Sequence, residues 1–464
     1  MARTPAALSK SKYLDGLKCP KLLWYDYNRR EEIPPFDPQT KAVMEEGQRV
    51  GRMAQRLFPG GIKLERETAP EKMSAKSLAA LAERRPLFEA GFLFGRAYAL
   101  ADILVPVGSD EWDLIEVKSS TSVKGDYYND VAFQKYTYTG AGLKVRQCFL
   151  MFLDREYLKK GEVDPERLFR RENISEKVEE RVPAIAEAVR QMTELIAQPA
   201  APEIKVGSQC GGCPLAELCW AFLPDEPNVF TLYRGEKTAF ELMDKGVLKL
   251  RDIPADYELS VKHEIQRQAL LSGRPHVNKK EIGEFLDGLR YPLYYLDFET
   301  IAPAVPFFDL THPYEELPFQ FSLHRVDGPG AEPVHFSYLA PGDVDPRPEV
   351  LRRLQELLGG SGTIVAFNAA YEMNCLRRAT EAYPEYAAWF SDLKERFADL
   401  WEPFKNFYYY HPGQQASTSM KVVLPALGRS GYKELAIGEG WTARNEDMRV
   451  TFQQGIDPAD RQRV

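Results

Sequence analysis

Asp102, Glu116 and Lys118 are the side chains of this sequence best placed to do chemistry together. They lie in Ala99-Leu-Ala-Asp-Ile-Leu-Val and Asp113-Leu-Ile-Glu-Val-Lys. Alternation along a strand puts Glu116 and Lys118 on one side and turns Ile115 and Val117 toward a core. Gly108-Ser109-Asp110 reads as a three-residue hairpin loop. Pairing Val107 with Glu111 around it sets Asp102 opposite Glu116. Carboxylates at that spacing, roughly 4.5–5.5 Å between Cβ atoms, can share one divalent cation, and without one they repel. Lys118 is then placed to position a metal-activated water or to offset charge on a phosphate. Gln134 and Tyr138 stand four apart on an expected helix and share its face, a spacing suited to supporting the site.

Four cysteines form a second set. Cys19 stands alone near the start, whereas Cys210, Cys213 and Cys219 come as C-G-G-C-P-L-A-E-L-C. One loop and the first turn of a helix can present those three sulfurs. The fourth must arrive from the other end of the domain, so a metal centre here would staple first element to last. Four thiolates suit tetrahedral zinc as well as an iron–sulfur cluster. Zinc sites usually come as two paired C-x2-C hooks, whereas one partner here is solitary. Lys10, Lys12, Lys18 and Lys21 surround Cys19 and read either as phosphate contacts or as a solvated helix face. Cys148 and Cys375 sit in apolar surroundings and are expected to be buried thiols.

A third set lies in the second half. Leu296-Asp297-Phe-Glu299-Thr300 ends a hydrophobic strand with two carboxylates on one face and nothing basic between them. Further on, Asn368 falls at a strand-to-helix junction where it suits an N-cap. Glu372 then points from the first helical turn toward the strand ends. Asp399-Leu-Trp and Ser417-Thr-Ser-Met-Lys421 follow. Phe407-Tyr-Tyr-Tyr-His411 could stack on unpaired bases, or form a strand with one face in a core.

The elements that must position these residues are those of an α/β protein. At 464 residues the chain is too long for one core. Helices are expected at Ser9–Trp24, Lys41–Leu57 and, as one long amphipathic stretch, Pro165–Gln198. Strands are expected at Ala97–Val107, Trp112–Lys118 and Gln147–Leu153. Residues 1–222 make a first domain, 223–290 a helical connector, and 291–464 an α/β domain with a mixed sheet. In this last domain the sequence predicts strands at Leu293–Phe298 and Thr363–Phe367 and a helix at Glu349–Leu358. A net charge of −8 argues against a wholly basic binder, so any nucleic-acid contact must come from local Lys/Arg clusters. Neither an apolar leader in Met1–Gly16 nor a run of eighteen apolar residues is found, so no signal peptide or membrane span is expected. Six cysteines in such a chain point to metal binding or plain thiols and a cytoplasmic setting rather than to disulfides.

Asp102, Glu116-Val-Lys118, Gln134 with Tyr138, and one early cysteine with a late C-x2-C-x5-C together resemble the RecB-type branch of the PD-(D/E)XK nucleases. The resemblance is to those with an iron–sulfur cluster, such as the adaptation nucleases of CRISPR systems, and covers about the first 220 residues. It implies a restriction-endonuclease-like fold, a [4Fe–4S] cluster on Cys19, Cys210, Cys213 and Cys219, a Mg²⁺ or Mn²⁺ ion on Asp102 and Glu116, and single-stranded DNA as substrate. One departure is plain: relatives place a metal-binding His on an early helix, and here no His precedes His263. Glu45, Glu46 and Glu89 are the candidates to replace it. The second half is similar to the DnaQ-like DEDD exonucleases of the ribonuclease H fold. Asp297 and Glu299 match the first motif, and Glu372 in N-x2-Y-E matches the second. Asp399 and S-M-K match segments preceding the third. That resemblance implies two metals held by Asp297, Glu299, Glu372 and a fourth carboxylate. The fourth, expected as Tyr-Cys-x-x-Asp-Thr on a final helix, is not found; Asp457 and Asp460 do not match. The second centre is therefore expected to bind metal but cleave poorly. Together the resemblances imply a DNA nuclease of repair or mobile-element defence, the alternative being a nucleic-acid-binding adaptor built on degenerate nuclease folds.

Overall fold

The computed structural model describes residues 7–431 and 440–452. They divide into two compact units, residues to Cys219 with Pro303–Tyr314, and Trp220–Ala302 with the residues from Glu315 onward.

In the first unit Leu8–Ser9 (β1) leads into Lys10–Lys18 (α1), and Pro20–Asn28 (α2) follows. The single helix expected over Ser9–Trp24 is broken at Cys19, whose extended backbone ends α1 and begins α2. Pro20 is the cause, since it disfavours helical geometry in the residue before it. Pro38–Gln55 (α3) is capped by Asp37, which accepts the Thr40 N–H at 2.7 Å. Ile62–Lys63 (β2) and Pro70–Ala80 (α4) precede a meander of Leu87–Phe94 (β3), Ala97–Val107 (β4) and Glu111–Lys118 (β5). The hairpin between β4 and β5 turns as expected, with Val107 facing Glu111 and Gly108 in the left-handed region at φ +54°. Asp126–Gly140 (α5) then crosses to Lys144–Leu153 (β6), parallel to β5.

The expected long helix over Pro165–Gln198 is instead four elements: Pro165–Leu168 (α6), Phe169–Asn173 (β7), Ser175–Glu179 (α7) and Val182–Ile196 (α8). Phe169–Asn173 is drawn into an antiparallel edge ladder with β6, which outweighs its helical pattern. Ala216–Cys219 (α9) closes the unit. The sheet runs β2-β3-β4-β5-β6-β7, with β1 parallel to the start of β4. One face packs against α1, α2, α4, α5 and α8 through Tyr13, Leu23, Met73, Phe133 and Ile185. The other packs against Val50 and Ala54 of α3 through Ile103, Ile115 and Met151.

The second unit opens with Glu236–Asp244 (α10), Val261–Ser272 (α11), His276–Val277 (β8) and Lys279–Asp287 (α12). Residues 223–290, expected as a separate helical connector, pack with the second unit. Gln266 on α11 bonds Tyr410 Oη at 3.2 Å and the Gln415 carbonyl at 2.9 Å. Leu293–Ile301 (β9), Leu317–Val326 (β10), Val334–Leu339 (β11), Arg347–Leu357 (α13), Thr363–Ala366 (β12) and Ala369–Ala382 (α14) follow. Then come Ala387–Leu393 (α15), Phe397–Asp399 (β13), Glu402–Lys405 (α16), Tyr409–Tyr410 (β14), Met420–Ala426 (α17) and Gly440–Phe452 (α18). The mixed sheet has the order β11-β10-β9-β12-β13, antiparallel on one side of β9 and parallel on the other. Strand β14 pairs with β8, and Phe407 and Tyr410 are buried, so the aromatic run faces a small core. The helix expected after Asp457-Pro458 lies outside the described residues. Among the described residues no helix is long and apolar enough to cross a membrane.

Candidate active sites

Glu116 is 2% exposed, with charge packed on every side. The β4–β5 ladder reaches Ile103–Ile115, and beyond it the backbone pairing gives way to the Asp102 side chain, which accepts the Val117 N–H at 2.8 Å. The strands part there, and Asp102, Glu116 and Lys118 line a cavity of about 790 Å³. Contrary to the expectation of one strand face turned from the core, both faces at Glu116 are covered, by α3 on one side and α5 on the other.

Helix α5 supplies a stripe at helical spacing, Asp130, Gln134 and Tyr138, all buried. Gln134 Nε2 donates to Glu116 Oε2 at 2.7 Å and to Asp130 Oδ1 at 2.9 Å, and Tyr138 Oη donates to Gln134 Oε1 at 3.1 Å. Lys118 Nζ lies 2.7 Å from Glu116 Oε1 and 2.5 Å from Asp130 Oδ2. Lys10 Nζ, from the first residue of α1, lies 2.8 Å from the same Glu116 Oε1 and 3.2 Å from Asp130 Oδ1. Two ammonium groups and two carboxylates thus form a closed ring of alternating charge. Burial and the Asp102 carboxylate push Glu116 up, but Lys10 and Lys118 outweigh them and hold it below its ordinary value. Burial would lower Lys118, yet Glu116 and Asp130 raise it well above the usual lysine range.

Five members of this site are legible in the sequence, Asp102, Glu116, Lys118, Gln134 and Tyr138, and the fold adds Asp130 and Lys10. Asp130 carried a signal, lying four residues before Gln134 on the same helix face. Lys10 carried none, because only the β1–β4 pairing brings it there. Of the three glutamates considered as an early ligand, Glu89 lines the cavity, from a left-handed position at φ +59°, and pairs with Arg66 at 3.1 Å. Glu46 instead accepts the Ala304 N–H at 2.6 Å, and Glu45 does not line the cavity.

The four cysteines come together. Cys19, Cys213 and Cys219 pack against Leu22, Trp24, Tyr25, Ile33 and Leu215. Burial pushes the Cys213 thiol up, the Leu215 N–H opposes, and Cys19, Cys219 and Cys210 add to the rise. Cys219 is raised likewise, with Lys21 opposing. Trp24 Nε1 donates to the Gln198 carbonyl at 2.9 Å, tying α2 to the chain that leads to Cys210. Cys148 and Cys375 are fully buried.

In the second unit Asp297 and Glu299 on β9 line a cavity of about 1320 Å³ with Ser322, His324, Lys421 and Asp447. Asp447 stands on α18, before the point where sequence reading looked for a final helix, and without the expected Tyr-Cys-x-x-Asp-Thr pattern. Burial pushes its carboxyl up to about 6, with Thr451 opposing. Gly440, the first residue of α18, packs close to Glu299: a Cβ there would meet Glu299 Oε2 at 3.1 Å, and the carboxylate would have to give by a few tenths of an ångström. Glu372 is 3% exposed and its Oε2 is buried without a hydrogen-bond partner. Burial, with Asp297 and Asp399 adding, pushes it up to about 8 against its own backbone N–H. Asn368 does not cap α14 with its side chain, contrary to expectation. It sits at φ +73°, and its N–H donates to Asp399 Oδ1 at 2.8 Å. Among the described residues no three His, Cys, Asp or Glu side chains are gathered tightly enough to hold a metal ion as they stand.

Residues 294–419 match the family described as a domain of unknown function, DUF2779. No curated protein matches the chain. A solved structure, the crystal structure of LHK-Exo in complex with dAMP, is 14% identical and covers 42% of this chain and 92% of its own, with a TM-score of 0.22. A likeness of that size carries no argument about this chain.

Proposed function

We propose that the chain is a metal-dependent nuclease that cuts single-stranded DNA at Asp102, Glu116 and Lys118. A second phosphodiester-cleaving centre would be formed by Asp297, Glu299, Glu372 and Asp447. The observation that carries the first assignment is the buried ring around Glu116 at the wall of a cavity. Burying this much charge is expensive, and a site that must hold and move charge accounts for it. Two adjacent carboxylates suit a hard ion such as Mg²⁺ or Mn²⁺. Asp102 and Glu116 would hold it, and when bound it supplies a Lewis acid beside the phosphate and a water of lowered pKa. Gln134 fixes one oxygen of Glu116 through its amide, whose orientation Tyr138 sets by donating to the amide oxygen. Asp130 holds Lys118, so that its ammonium stays beside the position of a scissile phosphate.

At the second centre the unpartnered Glu372 Oε2 is an acceptor that a cation would satisfy. Asp447 supplies the fourth carboxylate that sequence reading found missing, so this centre is proposed as complete. The four thiols would hold a [4Fe–4S] cluster that joins the first unit's two ends, and a structural zinc would give the same closure. An adaptor on degenerate nuclease folds is the second reading, favoured by one observation: both oxygens of Glu116 are already satisfied by protein groups. Cleavage separates the two. Glu116→Gln should remove most Mn²⁺-dependent cutting of single-stranded DNA by the first site while leaving the circular dichroism unchanged. A parent that shifts DNA mobility without cutting it, in either metal, would leave the adaptor.

A further inference from the structure

We infer that Lys10 is a built-in counter-ion that competes with the divalent ion for Glu116 and so sets how tightly the first site takes metal. The inference rests on the reading of Asp102 and Glu116 as ion ligands. Glu116 Oε1 receives two ammonium groups, Lys118 at 2.7 Å and Lys10 at 2.8 Å, while Oε2 is taken by Gln134 at 2.7 Å. A dication held by Glu116 would share that carboxylate with both ammonium groups, and like charges so close repel in a partly dry site.

The two lysines are not equivalent. Lys118 lines the cavity and its ammonium lies 5.0 Å from the centre of the Tyr127 ring, as well as on Asp130. Lys10 does not line the cavity. It reaches Glu116 and Asp130 from α1, whose start is fixed by Ser9 accepting the Lys12 N–H and by the short β1–β4 pairing. From there it can lower the negative potential on Glu116. Lys118 can neutralise only one of the two ring carboxylates, and Lys10 neutralises the other while no ion is bound. It keeps a buried pair of acids compatible with folding and makes the ion bind against resistance.

The test is Mn²⁺ affinity by titration calorimetry, without nucleic acid, in the full chain carrying Asp297→Ala to weaken the second centre. Lys10→Gln, which keeps a donor but loses the charge, should bind Mn²⁺ at least about tenfold more tightly. Lys10→Arg should bind no tighter than the parent, and Lys18→Met, an exposed charge on the same helix, should not differ from it. Unchanged or weaker binding by Lys10→Gln overturns the inference. Should Lys10→Gln be too unstable to titrate, Lys10→Arg decides: a tenfold gain with the charge retained would also overturn it. Glu116→Gln separates this from failure of the site itself. If it leaves the parent's Mn²⁺ binding unchanged, Asp102 and Glu116 hold no ion. If it abolishes binding while Lys10→Gln changes nothing, the fault lies with Lys10 alone.

Discussion

Glu372 shows what one carboxyl can report. Its value of about 8 in the folded protein lies well above that of an unfolded glutamate, so the native state holds a proton that the unfolded chain has released. Stability from this group is complete below about pH 4.5 and is lost as pH rises toward 8. In chelator the second unit should therefore be less stable at pH 8.5 than at pH 5, by about 1–3 kcal/mol, as read by thermal unfolding. Glu372→Gln should flatten that dependence, and a variant with the parental slope would contradict the assignment. Asp447, raised to about 6, adds loss in the same direction at lower pH. Glu372 was legible in the sequence because an acid four residues beyond Asn368, at a strand-to-helix junction, has a recognisable place. Asp447 was not, because a lone acid on a charged helix looks like any solvated residue until the helix is laid across β9. Asp130 was half legible, through its spacing to Gln134.

At the scale of elements, short connections decide where these side chains go. The Asp399 carboxylate accepts the N–H of Asn368 at 2.8 Å and that of Trp401 at 3.0 Å, so the end of β13 fixes the start of α14 and with it Glu372. Asp399→Ala should cost about 1–3 kcal/mol and displace Glu372, seen as lower thermal stability together with a loss of the pH dependence above. Asn368→Gly should be tolerated, since φ +73° suits glycine, whereas Asn368→Val should destabilise by about 1–2 kcal/mol. If Asn368→Val were neutral, the left-handed start of α14 would be wrong. The strands β4, β5 and β9 were legible because apolar alternation and turn residues agree. The break at Cys19 and the strand inside Pro165–Gln198 were not: the first depends on one proline within an amphipathic pattern, the second on a ladder partner far away in sequence.

At the scale of the whole molecule, each unit carries its own candidate centre, and the first unit's ends meet at four thiols. Anaerobically purified protein should be brown and hold about four irons per chain. Cys19→Ser should lose that colour and lower the first unit's stability, while a colourless protein with one zinc would remove the cluster. The thiol set was legible from spacing alone, but its packing around α2 was not, because Trp24 and Gln198 are brought together only by the fold. The decisive measurement is Mn²⁺-dependent cleavage of an end-labelled single strand by the parent, Lys118→Ala, Asp297→Ala and the double variant. The prediction is that Lys118→Ala loses most of the cutting, Asp297→Ala loses less, and the double variant is silent with its fold intact. Cleavage by the double variant at the parental rate would contradict the account.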